Sequence, residues 1–217
     1  MTELRLLLPL LLLALAACIP SPDGDRGRRG AQPQPQPVRQ SATMKACTGE
    51  LNRLNANYTV LPDATLGAGC STSDSVQLLG IGVPVTNVTA IRCNLARNLA
   101  QWAQGPLQAA ARASFGERIV KIETMGAYSC RNIIGGSGTG RSQHATANAV
   151  DVSAFVLGNG RRVTVQSGWN GAADERRFLR EIRNAACQQF GTVLSPDYNA
   201  AHYNHFHFDN SGQGFCR

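Results

Sequence analysis

Apolar positions along the 217-residue chain fall into blocks whose spacing changes from one block to the next. Between Ala90 and Ala103, Ile91, Leu95, Leu99 and Trp102 recur at helical intervals, and Gly105-Pro106 is expected to break this helix before a second short one from Leu107 to Ser114. Arg118 to Thr124 alternates, with Ile119, Lys121 and Glu123 opposed to Val120, Ile122 and Thr124, and predicts a strand. Ala149 to Leu157 and Arg161 to Gln166 flank Gly158-Asn159-Gly160, the pattern of a hairpin with a glycine-bearing turn. From Ala172 to Phe190, Phe178, Leu179, Ile182, Ala186 and Phe190 share one face opposite the charges, which predicts an amphipathic helix. Tyr203 to Asp209 reads as a last short strand. This order predicts an α+β domain with a small, mainly antiparallel sheet flanked by helices.

The first block differs in kind. Leu6 to Ala17 is apolar, too short to span a bilayer and long enough for the core of an export signal, so residues 1–17 read as a signal peptide. Leu15-Ala16-Ala17-Cys18 resembles the lipobox of bacterial lipoproteins, which implies lipidation at Cys18 and a membrane anchor there. Ile19 follows where an aspartate is absent, which resembles the pattern of lipoproteins sent to the outer membrane and implies a periplasmic location. Residues 18–43 are rich in Pro, Gln, Gly and Arg and cannot bury enough surface to offset their ordering entropy, so they read as a disordered tether. Residues 44–217 are long enough for one domain, with no second linker or internal repeat.

Charge and cysteine content sharpen the compartment. The chain carries a formal charge of +7, and removing residues 1–17 takes away Glu3 and Arg5 together, leaving it unchanged. A basic surface suits nucleic acid, anionic lipid or an acidic polymer, and export sets nucleic acid aside; no obligate protein partner is implied. Besides Cys18, Cys47, Cys70, Cys93, Cys130, Cys187 and Cys216 make an even set with no C-x-x-C spacing. In an oxidising compartment they predict three disulfides, whose pairing the sequence leaves open.

All four histidines lie in two short segments, His144 in one and His202, His205 and His207 in the other. On a strand, His205 and His207 leave the same face. Asp151 lies in the alternating stretch Ala149 to Ser153, opposite Val150 and Val152, and His144 precedes it by seven residues. A continuous helix would separate these two by about 10 Å, so the chain must turn between them, with Gly135 to Gly140 as a flexible approach. Two histidines and an aspartate would leave a fourth position for water, the arrangement of a catalytic zinc site. His205 is then the candidate base and His202 the second candidate.

At these residues the chain resembles a known group. Ser142-Gln-His144-Ala-Thr-Ala147-Asn-Ala149-Val-Asp151 is similar to the S-x-H-x-x-G-x-A-x-D pattern of zinc D-alanyl-D-alanine carboxypeptidases and murein endopeptidases, and His205-Phe-His207 to their H-x-H element. The resemblance implies one zinc ion held by His144, Asp151 and His207, with Arg131 of Tyr128-Ser-Cys-Arg131 stabilising an oxyanion. It departs at Ala147, where that group usually has glycine. A longer resemblance, through Cys130-Arg131, Asn148 to Phe155, Pro196 to His202 and His205-Phe-His207, is to the bacterial extensin-like C-terminal domain family. Two functions follow as expectations: a zinc metallopeptidase acting on D,D or L,D bonds of peptidoglycan, or a non-catalytic zinc-containing wall-binding or structural lipoprotein. The signalling domain of Hedgehog proteins, which resembles the same peptidase group without being established as an enzyme, is a precedent for the second.

Overall fold

The structure, a computed structural model, describes residues 41–134, 140–212 and 214–217. The signal segment, Cys18, the tether as far as residue 40 and the centre of the glycine-rich loop lie outside the described residues.

The described chain opens with helix α1 (Ala42–Arg53), capped by Ser41, whose hydroxyl accepts from the Met44 amide at 3.0 Å. Strands β1 (Ala56–Val60), β2 (Ser75–Ile81) and β3 (Ile91–Arg92) form a small antiparallel sheet in the order β1-β2-β3. Helix α2 (Cys93–Trp102) follows, then α3 (Gln108–Phe115). The expected break at Gly105-Pro106 does not occur. Ala103–Leu107 stays helical as a π-turn, which widens the backbone at the point where Pro106 offers no N–H. Ala103 and Leu107 are buried on this turn, so core packing favours continuity over a break.

Strands β4 (Ile119–Gly126) and β5 (Ala149–Leu157) come next, then β6 (Arg162–Thr164), the short helix α4 (Val165–Gly168), α5 (Ala173–Ala186), β7 (Thr192–Leu194), β8 (Phe206–Asp209) and β9 (Phe215–Cys216). The predicted strand, hairpin and amphipathic helix are all present; the hairpin's second strand ends two residues early, where Thr164 caps α4. The main sheet runs β4-β5-β8-β7-β9, with β6 also paired to β5. Every pairing is antiparallel except β7 with β9. The fold is α+β with a mainly antiparallel sheet, as the pattern implied.

Strand β5 is the centre of this sheet. β4 runs along one of its edges, while β8 pairs Ala149 to Val152 and β6 pairs Ala154 to Val156 on the other. A bulge at Ser153, where Glu123 and Thr124 face Ala154 and Val152, shifts the alternation, so that Val150, Val152, Phe155 and Leu157 all join the core. The helices cover that face: Trp102 packs on Phe155 and Phe208 with centroids 6.2 and 5.2 Å apart, Phe178 packs on Phe155 at 5.4 Å, and the Trp102 indole N–H donates to Ile182 O. Asp151 is left on the opposite face. Three disulfides form: Cys47–Cys93 ties α1 to α2, Cys187–Cys216 ties the end of α5 to β9, and Cys70–Cys130 joins two irregular loops. No described helix is long and apolar enough to cross a membrane.

Candidate metal centre

Two of the three expected ligands stand on neighbouring strands. Asp151 on β5 is the register partner of His207 on β8, and Asp151 Oδ1 lies 3.0 Å from His207 Nδ1. The third, His144, sits on a 3-10 turn (Gln143–Thr146) that supplies the reversal its seven-residue separation required. Ser142 opens this turn by accepting from the His144 amide at 3.4 Å, and Ala147 closes it in the left-handed region at φ 54°. That conformation explains why glycine would be at ease at this position. Ser142 thus supports the His144 backbone, while the imidazole is held elsewhere.

Each ring is oriented by its second nitrogen. His144 Nδ1 lies 2.7 Å from Ala127 O, which can only accept, so Nδ1 carries the proton and Nε2 is left as donor atom for a metal. His207 Nε2 lies 2.9 Å from Asp209 Oδ2, leaving Nδ1 inward. Asp209 is itself fixed, its Oδ1 accepting from the Ser211 amide at 2.7 Å and hydroxyl at 2.6 Å. Gly191 permits this close approach, since a Cβ there would lie 2.1 Å from Ser211 O. Neither Ala127 nor Asp209 was identified from the sequence. Asp209 had a signal, because it continues the two-residue period of His205 and His207; a carbonyl such as that of Ala127 carries none.

The three inward atoms fit a cation. His144 Nε2 is 3.1 Å from Asp151 Oδ1 and 3.2 Å from His207 Nδ1, close to the roughly 3.3 Å between ligands in a tetrahedral site with 2.0–2.1 Å bonds. His144, Asp151 and His207 therefore form a group able to hold a metal ion. The same atoms also satisfy one another as a buried salt-bridged cluster. Burial alone would raise the Asp151 carboxyl, but hydrogen bonds from His144 and His207 together outweigh it and hold the group well below the usual carboxylate range. Burial would likewise lower His207, yet its contacts with Asp151 and Asp209 push it up to about 9.

The other expected residues gather around this cluster. His205 is buried, with Nδ1 2.8 Å from Asn204 Oδ1 and Nε2 3.6 Å from Asp151 Oδ1. His202 lies on a 3-10 turn (Ala200–His202), its Nδ1 2.7 Å from Asn199 Oδ1 and its ring 5.1 Å from that of His205. Burial lowers His202 to about 4 and His205 below its ordinary value, with Asp151 opposing the effect on His205. Arg131 Nη2 stands 3.9 Å from Asp151 Oδ2. His202, His205 and Arg131 line a groove of about 390 Å³. Arg141, Ile133 and Ile134 line it as well, together with Tyr198 and Phe215. Its two aspartates are both engaged, Asp151 by His144, His207 and Arg131 and Asp209 by His207.

No match was found among curated proteins or among solved structures. The family described as the extensin-like protein C-terminus does match, from residue 45 to residue 217, a span that begins inside α1 and contains every described element after it as far as β9 and all the residues of this centre. The chain belongs to that extensin-like C-terminal family.

Proposed function

We propose that the protein is a zinc-dependent peptidase of peptidoglycan, acting on D,D or L,D bonds of its peptide stems and held in the envelope by a lipid on Cys18. The observation that carries this reading is the buried His144, Asp151 and His207 group lying in an open groove with a fourth polar side chain, His205, turned toward it. Zinc, when bound, supplies Lewis acidity toward a carbonyl and a water. His205 is oriented by Asn204 so that Nε2 is its free atom on the groove side, where it would accept the proton of an attacking water and return it to the leaving amine. Arg131 would face the oxygen on which negative charge develops. Arg141, and Arg131 beside its 3.9 Å contact with Asp151, line the groove and suit a substrate bearing carboxylates, as peptidoglycan stems do. Residues 18–40, ahead of the Ser41 cap of α1 where the folded domain begins three residues earlier than the sequence pattern implied, would act as the spacer between anchor and domain.

A non-catalytic wall-binding module is the second reading, favoured by the direct closure of the three ligand atoms on one another at 3.0–3.2 Å. Zinc content and digestion of purified peptidoglycan separate the two. The enzyme is expected to carry one zinc and to release new stem-peptide fragments; His205→Ala should keep the metal and lose turnover, and His207→Ala should lose both. Zinc without fragments would favour the module, and no zinc would remove the basis of both readings.

A further inference from the structure

The His144 turn belongs to neither sheet and is held by loops on both sides. The Ser71 amide donates to Ala145 O at 2.9 Å, and the Ser129 amide donates to His144 O at 3.1 Å. Ala127 O holds the His144 imidazole at 2.7 Å, and the Ser142 amide donates to Arg131 O at 3.2 Å. These contacts come from two irregular segments, residues 61–74 and 127–131, and among the described residues no backbone hydrogen bond joins the two segments to each other. What joins them is the Cys70–Cys130 disulfide, Cα to Cα 5.6 Å, with Cys70 beside Ser71 and Cys130 beside Ser129.

We infer that Cys70–Cys130 is a positioning element of the metal centre: it clamps together the two loops that hold the His144 turn, so metal affinity depends on this bond beyond its effect on global stability. This rests on the reading of His144, Asp151 and His207 as metal ligands. Asp151 and His207 are fixed by strand register, whereas the turn at the third corner, besides running on into β5, is held among the described residues by these loops and by Arg92, whose amide donates to Ala147 O and whose side chain donates to Thr146 O. Opening the disulfide would leave the Ser71 and Ser129 bonds to be maintained by two loops that, among the described residues, share no backbone hydrogen bond with each other.

Cys187–Cys216 provides the control. The two bonds span 60 and 29 residues, and closure entropy grows only logarithmically with loop length, so their effects on global stability should be similar. Cys187–Cys216 ties β9 to α5, and among the described residues the turn makes no backbone hydrogen bond to either element. The experiment compares the whole chain with the double variants Cys70→Ser/Cys130→Ser and Cys187→Ser/Cys216→Ser. Zinc affinity is measured by chelator competition, and backbone amide exchange is followed in the metal-free proteins. The first variant is expected to lose about 10- to 100-fold in zinc affinity, the range for outer partners of metal ligands. Its amides of Ser71, Ser129 and residues 144–148 should exchange faster while β5 and β8 stay protected, and the second variant should keep both properties.

Equal losses in both variants, or unchanged affinity and turn exchange in the first, would overturn the inference. Failure of the unaltered protein to bind zinc would instead sink the metal reading, and turn exchange would still judge the clamp. If the first variant does not fold, a trialkylphosphine applied to the folded protein tests the same bond. It passes two electrons to one disulfide and takes up the oxygen of one water, leaving two thiols and a phosphine oxide. Cys130 is exposed whereas Cys47 and Cys93 are buried, so Cys70 and Cys130 can be opened and alkylated ahead of the α1–α2 pair. Turn amides that remain protected after that alkylation would likewise overturn the clamp.

Discussion

Asp151 and His207 are direct register partners across β5 and β8, and Asp209, two residues beyond His207, holds that histidine from its far side at 2.9 Å. The pairing sets distance and the outer carboxylate sets orientation, so the two contributions can be separated. Asp209→Asn keeps the shape but removes the charge that selects the inward Nδ1 lone pair. Zinc affinity measured by chelator competition is expected to fall about 10- to 100-fold with the far-ultraviolet spectrum unchanged. Retained affinity would mean that register alone orients the ring.

Ala147 pits backbone strain against packing. Glycine would relieve the left-handed conformation, worth about 1–2 kcal/mol. It would also lose a buried methyl worth about 0.8 kcal/mol and gain chain freedom worth about 0.5–1 kcal/mol in the unfolded state. These nearly cancel, so Ala147→Gly should leave the thermal midpoint within a few degrees. Ala147→Val combines a β-branched residue at φ 54° with a fully buried site and should cost at least the roughly 1–3 kcal/mol of overpacking. Denaturant titration of both variants checks the pair, and a stable Ala147→Val protein would contradict the geometry.

Arg131 is expected to act on turnover rather than on binding. If its guanidinium meets the developing oxyanion, Arg131→Gln should lower kcat about 10²- to 10³-fold while zinc content and KM stay near those of the unaltered enzyme. A change confined to KM would assign it to recognition of a substrate carboxylate.

Cys18 carries the expectation of anchoring. Cys18→Ser should move the protein from the membrane fraction to the soluble fraction of the envelope, since a serine cannot take the thioether-linked lipid. Unchanged fractionation would remove the lipoprotein reading without touching the metal centre.

Several elements were legible because their pattern and their environment agree. The alternation around Asp151 placed Val150 and Val152 toward the core, and the apolar stripe of α5 is buried as read. The Gly105-Pro106 pair misled, because buried Ala103 and Leu107 sustain a helix that local propensity would end. β1, β2, β7 and β9 went unread, being short or of mixed pattern and formed through partners distant in sequence. At the site, side chains with distinctive chemistry were found and their supports were not: the ring of His144 leans on a carbonyl, and its turn on amides from residues 71, 92 and 129.

The sharing of one β5 edge between β8 and β6 makes assembly self-checking. A one-residue slip of β5 would turn Val150 and Val152 to the groove and drive the Asp151 carboxylate toward Trp102 and Phe208, an uncompensated charge among aromatic rings. β6 would have to slip with it or surrender its own pairing. Misregistered chains are thereby discarded by the same force that builds the core, and a molecule that reaches its compact state arrives with aspartate and histidine already opposed.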